Sequence, residues 1–396
     1  MNRRPSPRRA GFTLIEVLIA VVIVVLLIGL LLPAIRAAYR TAQQAQVTAE
    51  LNNIAAALAS FKTTYGDYPP SRVILCESGY NTYSASAGAA VLNAPAGPMS
   101  PSGNDTDLSV SQLIQRSRLY LRRFWPRVDF DNGTIPFDFN NNGSTSDVMT
   151  LSGSECLVFF LGGIPINNGK GGYSVSGFSK LPTNPFLPPG SGNTAATNRT
   201  VPNYEFQNSR LVDQDGDHIP SYLDPLDLSP ANQRAYAYFC SYGTNSYDPN
   251  DVNGYGKNFD HGTTTADAGD FEVEDNGTTF VERGFSVGFP NSAKVPYVVS
   301  PGPNPYCSGT PVTTGSMSWM NPTSFQLFSA GADRFWGLGG QYVGSGFGAS
   351  GKLPIFSNPP DSGDINNDGN AAGIDITGVR RREGDNLTNF SSGRLD

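Results

Sequence analysis

Phe12 to Leu32 form a run of 21 residues whose only polar side chains are Thr13 and Glu16. At about 1.5 Å per helical residue the run spans roughly 31 Å, the thickness of a bilayer's hydrocarbon core. A helix that is apolar on every side needs a membrane or other protein around it. Arg3, Arg4, Arg8 and Arg9 precede the run, whereas Arg36 and Arg40 follow it. This imbalance predicts an N-terminus on the cytoplasmic side and the bulk of the chain across the membrane. Glu16 lies near the start of the span, where a carboxylate is costly unless it finds a partner, so it reads as functional. The alternative is a carboxylate resting at the headgroup interface.

An ordinary secretory signal carries small residues and a cleavage site after its apolar stretch. Here the informative sequence comes before the stretch, as Gly11-Phe12-Thr13-Leu14-Ile15-Glu16 behind an arginine-rich tip. It resembles the class III signal of type IV pilins and type II secretion pseudopilins. The resemblance implies a prepilin peptidase cutting after Gly11 and methylation of Phe12 as the new first residue. It also implies that Glu16 pairs with the free amine of a neighbouring subunit's Phe12 and sets the stagger of subunits in a filament. The domain plan that follows is a leader over 1–11, a transmembrane and assembly helix over 12–65, and a head over 66–396.

Beyond Leu32 the chain stays helical but becomes amphipathic. Pro33 removes a backbone donor and is expected to kink or loosen the helix. Ile35, Ala38, Ala42, Ala45, Ala49, Ile54, Leu58, Phe61 and Tyr65 then recur mostly at three- and four-residue steps, a stripe suited to a sheet. Gly66 and Pro69-Pro70 end it, and the stretch Phe61 to Pro69 resembles the family's helix exit. A second helix is predicted from Ser109 to Phe124. Strands are predicted at Cys156 to Leu161, Ala235 to Tyr242, Pro296 to Val299 and Phe325 to Phe328, each short and bounded by Gly, Pro or Asn. The fold class expected is α+β, a long N-terminal helix packed on an antiparallel sheet. With 44 Gly and 30 Pro in 396 residues, about 19 per cent, the head stays below the roughly 25–30 per cent that marks disorder. A folded domain with large loop-rich insertions is the expectation.

Removing the four leader arginines from the formal charge of −7 leaves −11 for the mature chain. An acidic balance of this size disfavours nucleic-acid binding. Cys76, Cys156, Cys240 and Cys307 are widely spaced with no Cys-x-x-Cys pair. That argues against a zinc site and permits up to two disulfides in an oxidising compartment, with four buried thiols as the alternative. The two histidines, His218 and His261, sit in no recognised nucleophile arrangement. No enzymatic activity is assigned.

Ser324 to Asp333, followed by Phe335, Trp336 and Gly337, resembles the last strand and following loop of major type II secretion pseudopilins. Gly384 to Phe390 resembles the acidic tail that follows that loop. Classical pilins close with a disulfide loop, for which Cys307 lies too far upstream.

Acidic loops in the head carry a calcium reading of their own, since calcium takes six to eight hard oxygen ligands. Asp364, Asn366 and Asp368 fall at positions one, three and five of a loop with Gly369 at six, Asn370 at seven and Asp375 at twelve. This is the EF-hand spacing with Asp in place of the usual bidentate Glu. Asp213, Asp215, Asp217 and Asp224 form a second cluster, resembling the calcium loops of thrombospondin type 3 repeats. Asp138, Asn140, Asn142 and Gly143 begin the pattern a third time but meet Met149 at position twelve. The competing reading is that Asp, Asn and Gly simply build turns.

These observations lead to two expectations. One is a structural pseudopilin-like subunit in a homo- or hetero-oligomer with other pseudopilins, handled by prepilin peptidase and an inner-membrane assembly platform and resident in the membrane before assembly. The other is a type IV pilus subunit, or a tip-located minor pilin with a binding head.

Overall fold

The computed structural model describes residues 13–81, 110–131, 137–169, 171–190, 192, 194–213, 216–226, 234–243, 247, 251, 305–308, 318–331, 340–342, 383–391 and 394–395. The chain divides into two units, Met1–Gln46 and Val47–Asp396. A single helix, α1 (Leu14–Tyr65), begins in the first unit, runs through Pro33 and ends in the second. Its exit follows from Gly66, which takes φ 88° and donates its N–H to the Lys62 carbonyl at 2.8 Å. Glycine meets that left-handed cap without a Cβ penalty.

Within the second unit α1 buries Val47, Leu51, Ile54, Ala57, Leu58 and Phe61. The predicted stripe is therefore right at Ile54, Leu58 and Phe61 and misses at Ala49, which is exposed between buried Val47 and Glu50; Ile35, Ala42 and Ala45 are exposed within the first unit. Alanine is small enough to suit either face, so its spacing alone does not fix the register.

β1 (Arg72–Cys76) is buried along its whole length, because α2 (Val110–Phe124) and α3 (Gly153–Gly162) both pack against it. It pairs antiparallel with β2 (Val148–Ser152), Arg72 opposite Ser152 and Cys76 opposite Val148. The remaining strands, in chain order, are β3 (Pro165–Asn167), β4 (Tyr173–Val175), β5 (Leu211–Val212), β6 (Ser221–Tyr222), β7 (Ala237–Cys240), β8 (Tyr306–Ser308), β9 (Ser318–Trp319), β10 (Phe325–Ser329), β11 (Gly340–Gln341) and β12 (Leu387–Thr388). β3 with β4 and β5 with β6 form two-stranded antiparallel pairs. β10 is central in a sheet ordered β12-β10-β7, and β8 is central in one ordered β11-β8-β9. The result is the expected α+β mix of a long apolar helix, small antiparallel sheets and extended loops.

The expected helix at Ser109 to Phe124 is α2, and the expected strands at Ala235 to Tyr242 and Phe325 to Phe328 are β7 and β10. Pro296 to Val299 lies outside the described residues. Cys156 to Leu161 is corrected from strand to helix, forming the body of α3. All ten residues of α3 are buried, so no polar face reveals a helical period. The decisive signal is at its ends. The Ser152 N–H donates to Glu155 Oε2 at 3.0 Å, half of a capping box. Gly163 closes the helix at φ 87°, where a Cβ would lie 2.2 Å from the Gly177 carbonyl carbon. Around Phe61 and α3 the core is aromatic, with Phe61 edge-on to Phe124 at 5.2 Å and Trp125 edge-on to Phe186 at 4.8 Å.

One buried carboxylate registers α1 against the head. Glu50 Oε1 and Oε2 accept from Arg210 Nη1 at 2.7 and 2.9 Å. The Tyr222 hydroxyl donates to Oε1 and the Tyr236 hydroxyl to Oε2, both at 2.7 Å, and Tyr204 adds a third hydroxyl at 3.2 Å. Arg210 is itself held by the Leu223 carbonyl, at 2.7 Å from Nε, and lies over the Tyr222 ring at 4.2 Å. Burial alone disfavours the charged carboxylate. The bonds from Arg210, Tyr222 and Tyr236 overcome that penalty and hold Glu50 below its ordinary range. Tyr204, desolvated and beside the Glu50 charge, is pushed up to about 12.

Removing one partner of a buried ion pair strands the other, at a cost of about 3–5 kcal/mol. Glu50→Ala in the full chain in detergent is expected to lose that much unfolding free energy in denaturant titration. Because the folded-state pKa of Glu50 is depressed, its contribution is present above the ordinary value of 4.5 and lost as pH falls through the lowered one. The gap between wild type and Glu50→Ala should therefore narrow in acid. A gap under about 1 kcal/mol at neutral pH contradicts the clamp.

Candidate functional site: the exposed helix and the acidic loops

Every large apolar side chain of α1 from Leu14 to Tyr39 is 48–83 % exposed. Among the described residues this is the one helix long and apolar enough to cross a membrane. An apolar surface so long and continuous requires lipid or neighbouring protein to cover it. Gly11 and Phe12 lie outside the described residues. Glu16 is described, and its surroundings were not foreseen. The Thr13 N–H and hydroxyl both donate to Glu16 Oε2 at 2.8 Å, and the Glu16 N–H faces Thr13 Oγ1 at 3.4 Å. Thr13-Leu14-Ile15-Glu16 is thus a capping box, satisfying helix N-terminal donors within one chain. The Thr-x-x-Glu spacing could have revealed it. Within a single chain Glu16 is a local cap, and pairing with another subunit's amine requires it to exchange or share these bonds.

The acidic loops are used unequally. Asp213 Oδ1 accepts the Gly216 N–H at 2.7 Å, and its Oδ2 accepts the His218 N–H and the Tyr173 hydroxyl, both at 3.1 Å. Asp217 Oδ1 accepts the Ile219 N–H at 2.7 Å. Asp224 is buried on the strand side, where it accepts from Ser329 Oγ of β10 and, at 2.9 Å, from the Leu226 N–H. Burial raises it to about 6 against the pull of those two bonds. Asp224 therefore ties the loop to β10. Asp215 and the whole Asp364, Asn366, Asp368, Asn370 and Asp375 loop lie outside the described residues. Among the described residues no group of three or more His, Cys, Asp or Glu side chains converges as a metal centre.

The loop of Asp138 to Asp147 gains a residue that its sequence does not contain. Glu77, fully buried at the end of β1, accepts the Phe139 N–H at 2.9 Å with Oε1 and the Asp147 N–H at 3.0 Å with Oε2. Asp138 accepts the Asn142 and Gly143 N–H groups, each at 3.2 Å, and Asn142 Nδ2 donates to Asp147 Oδ2 at 2.7 Å. Burial pushes Glu77 up to about 8, opposed by its two amide bonds and assisted by the Asp147 and Asp138 charges. This loop meets the other one where Asn140 Nδ2 donates to the Asp217 carbonyl at 2.8 Å. The oxygen-rich donor set suits a hard cation, but each carboxylate named here also serves as a turn-builder.

Cys76, Cys156 and Cys240 are buried thiols with no disulfide between them. Burial pushes the Cys76 thiol up to about 12 and the other two further. Inert buried thiols behave as small hydrophobes in a core. The side chain of Cys307, and all of His261, fall outside the described residues.

Residues 6–32 match the family model of the prokaryotic N-terminal methylation motif. This is the class III signal of type IV pilins and pseudopilins; it supports a pilin-like or pseudopilin precursor and is a motif of structural subunits. No curated protein and no solved structure is matched by the chain.

Proposed function

We propose that this chain is a structural pseudopilin-like subunit, cut after Gly11 by a prepilin peptidase, methylated at Phe12 and assembled into a type II secretion pseudopilus that drives protein export. The observation that carries this reading is the exposed apolar face of α1, joined to a methylation motif and bearing a single carboxylate, Glu16, near its start. Before assembly the helix anchors the chain in the inner membrane, N-terminus cytoplasmic and head periplasmic. On extraction by the inner-membrane platform, packing against other pseudopilins replaces lipid around the same residues. Glu16 then sets register by engaging the amine of a neighbouring Phe12, a contact whose strength grows in a low-dielectric environment.

The secretion branch is favoured over a twitching or adhesive pilus by the two C-terminal segments of pseudopilin resemblance. Ser324 to Asp333 and Gly384 to Phe390 are joined by strand pairing, Phe328 opposite Thr388 and Ser329 opposite Leu387. Asn389 fastens the pair further, its Oδ1 accepting the Leu327 N–H at 2.9 Å. The extent of the head, from residue 66 to 396, supports the second reading of a pilus subunit or tip-located minor pilin with a binding surface.

Glu16→Ala is expected to leave the precursor in the membrane while reducing both sheared filaments and exported protein by about tenfold or more, equivalent to ~1.4 kcal/mol. Unaltered assembly and export would refute the role of Glu16. In the same reading calcium stiffens the head at the loops of Asp364 to Asp375 and Asp213 to Asp217, with Asp224 bracing the latter. Millimolar calcium should then raise the melting temperature of the purified chain relative to chelator. Identical melting, with no bound calcium by calorimetry, removes calcium from the account.

A further inference from the structure

The outward face of α2 is an unusual surface for this chain. No Asp or Glu occurs between Val110 and Arg127, whereas Arg116, Arg118, Arg122, Arg123 and Arg127 do. The helix is amphipathic. Leu113, Ser117, Leu121 and Phe124 are buried, and Arg116 turns inward to Asp251 at 3.1 Å and to the Tyr242 ring at 4.1 Å. On the opposite side Leu119 is 71 % exposed. Outside α1 only Leu119 and Val201 are large exposed hydrophobics among the described residues. Leu119 has arginines beside it on the same helix, Arg122 at 50 % and Arg123 at 57 % side-chain exposure.

These arginines are paired to different degrees: Arg118 and Asp131 are a close, largely buried pair at 2.6 Å, whereas Arg122 and Arg123 are half exposed. Arg118 and Arg122 share Asp131, Arg123 reaches Asp67, and Arg127 is exposed. Lys62 adds a further cation, lying over the Tyr68 ring at 4.2 Å. Solvent-exposed ion pairs are worth about 0–1 kcal/mol, so they are exchanged at little cost. A guanidinium carries five donors and can keep one carboxylate while engaging another. Arginine is enriched at interface centres, and the exposed leucine beside these arginines adds apolar surface that a partner would cover.

We infer that this α2 face docks on the acidic head of a second copy of the same chain. Charge complementarity selects that occupant. Without the five arginines of α2 and its exit the rest of the mature chain carries −16, so a neighbouring head offers carboxylates to this face. The inference rests on the assembly reading above, which brings copies side by side through α1, and adds a second contact made by the heads. In this arrangement the α1 contacts hold the filament together and the α2 contact orients each head against its neighbour.

The test is photocrosslinking from a benzophenone amino acid replacing Leu119 in the full-length chain, expressed in its own host as two differently tagged copies. An adduct carrying both tags is expected. It should fall by at least about fivefold in Arg122→Glu/Arg123→Glu and in the exposed Arg127→Glu, and stay within about twofold of the parent in Arg122→Lys/Arg123→Lys. It should also weaken as salt is raised from about 50 to about 500 mM in isolated membranes, since screening acts on exposed charges. No adduct, an adduct only to a different protein, or a two-tag adduct indifferent to charge reversal overturns the inference. Adding Glu16→Ala separates the two claims. An adduct that survives Glu16→Ala yet is lost on arginine reversal upholds the α2 contact and counts against the role of Glu16. An arginine-reversed chain that assembles normally and keeps its two-tag adduct does the opposite.

Discussion

Glu50 is the only charged residue on the buried face of α1, and the seating of the helix in the head depends on how it is satisfied. A helix that buries only apolar side chains can slide or rotate at modest cost, because one aliphatic contact resembles the next. A carboxylate engaged by one guanidinium and three phenols permits no such freedom. Advancing the helix by one residue turns the side chain about 100° and shifts it about 1.5 Å, enough to strand Arg210 in the core. The partners come from a 3-10 turn at Asn208–Arg210, from β6 and from the segment leading into β7. With Tyr204, one side chain of α1 thus ties together parts of the head that are 32 residues apart in sequence, from Tyr204 to Tyr236.

From that anchor the head closes through its last strands. β10 lies between β7 and β12, and its Ser329 bonds to Asp224, two residues beyond Tyr222 and the Glu50 cluster. Gly331, just past β10, has φ 70°, and a Cβ there would lie 2.5 Å from the Asp385 carbonyl oxygen. Both C-terminal segments that resemble pseudopilins therefore meet at one place, and the first is tied through Ser329 to Asp224, two residues along the chain from the Glu50 partner Tyr222.

The amphipathic and membrane-scale signals were legible in the sequence because they depend on period and composition: the 52-residue α1, the helix α2 and the strands β7 and β10. α3 was misread because full burial erases helical periodicity, leaving Val158, Phe159 and Phe160 to suggest a strand. The buried register of α1 was obscured by alanines that fit either face and by a glutamate that sequence rules place outside. Glu50 is inside only because Arg210, Tyr222 and Tyr236 meet it from a distance of at least 160 residues, which no local pattern encodes. Glu77 joining the Asp138 loop is the same kind of event. The Thr13–Glu16 cap is fully local, and its Thr-x-x-Glu spacing is legible in the sequence.

The helix and the head give complementary halves of one account. Val47 to Tyr65 is committed to the fold, whereas Leu14 to Tyr39 presents apolar surface that only lipid or other subunits can satisfy. In the proposed assembly, a cut between Gly11 and Phe12 would supply the charged amine that makes Glu16 an intermolecular partner as well as the cap of its own helix. The most direct test is therefore the N-terminus itself, by intact mass and fragmentation mass spectrometry of the chain purified from its own host. The account predicts a mature chain beginning at Phe12 with one methyl group on its amine. A mature chain that retains Met1 to Gly11, or begins at any other residue, contradicts it.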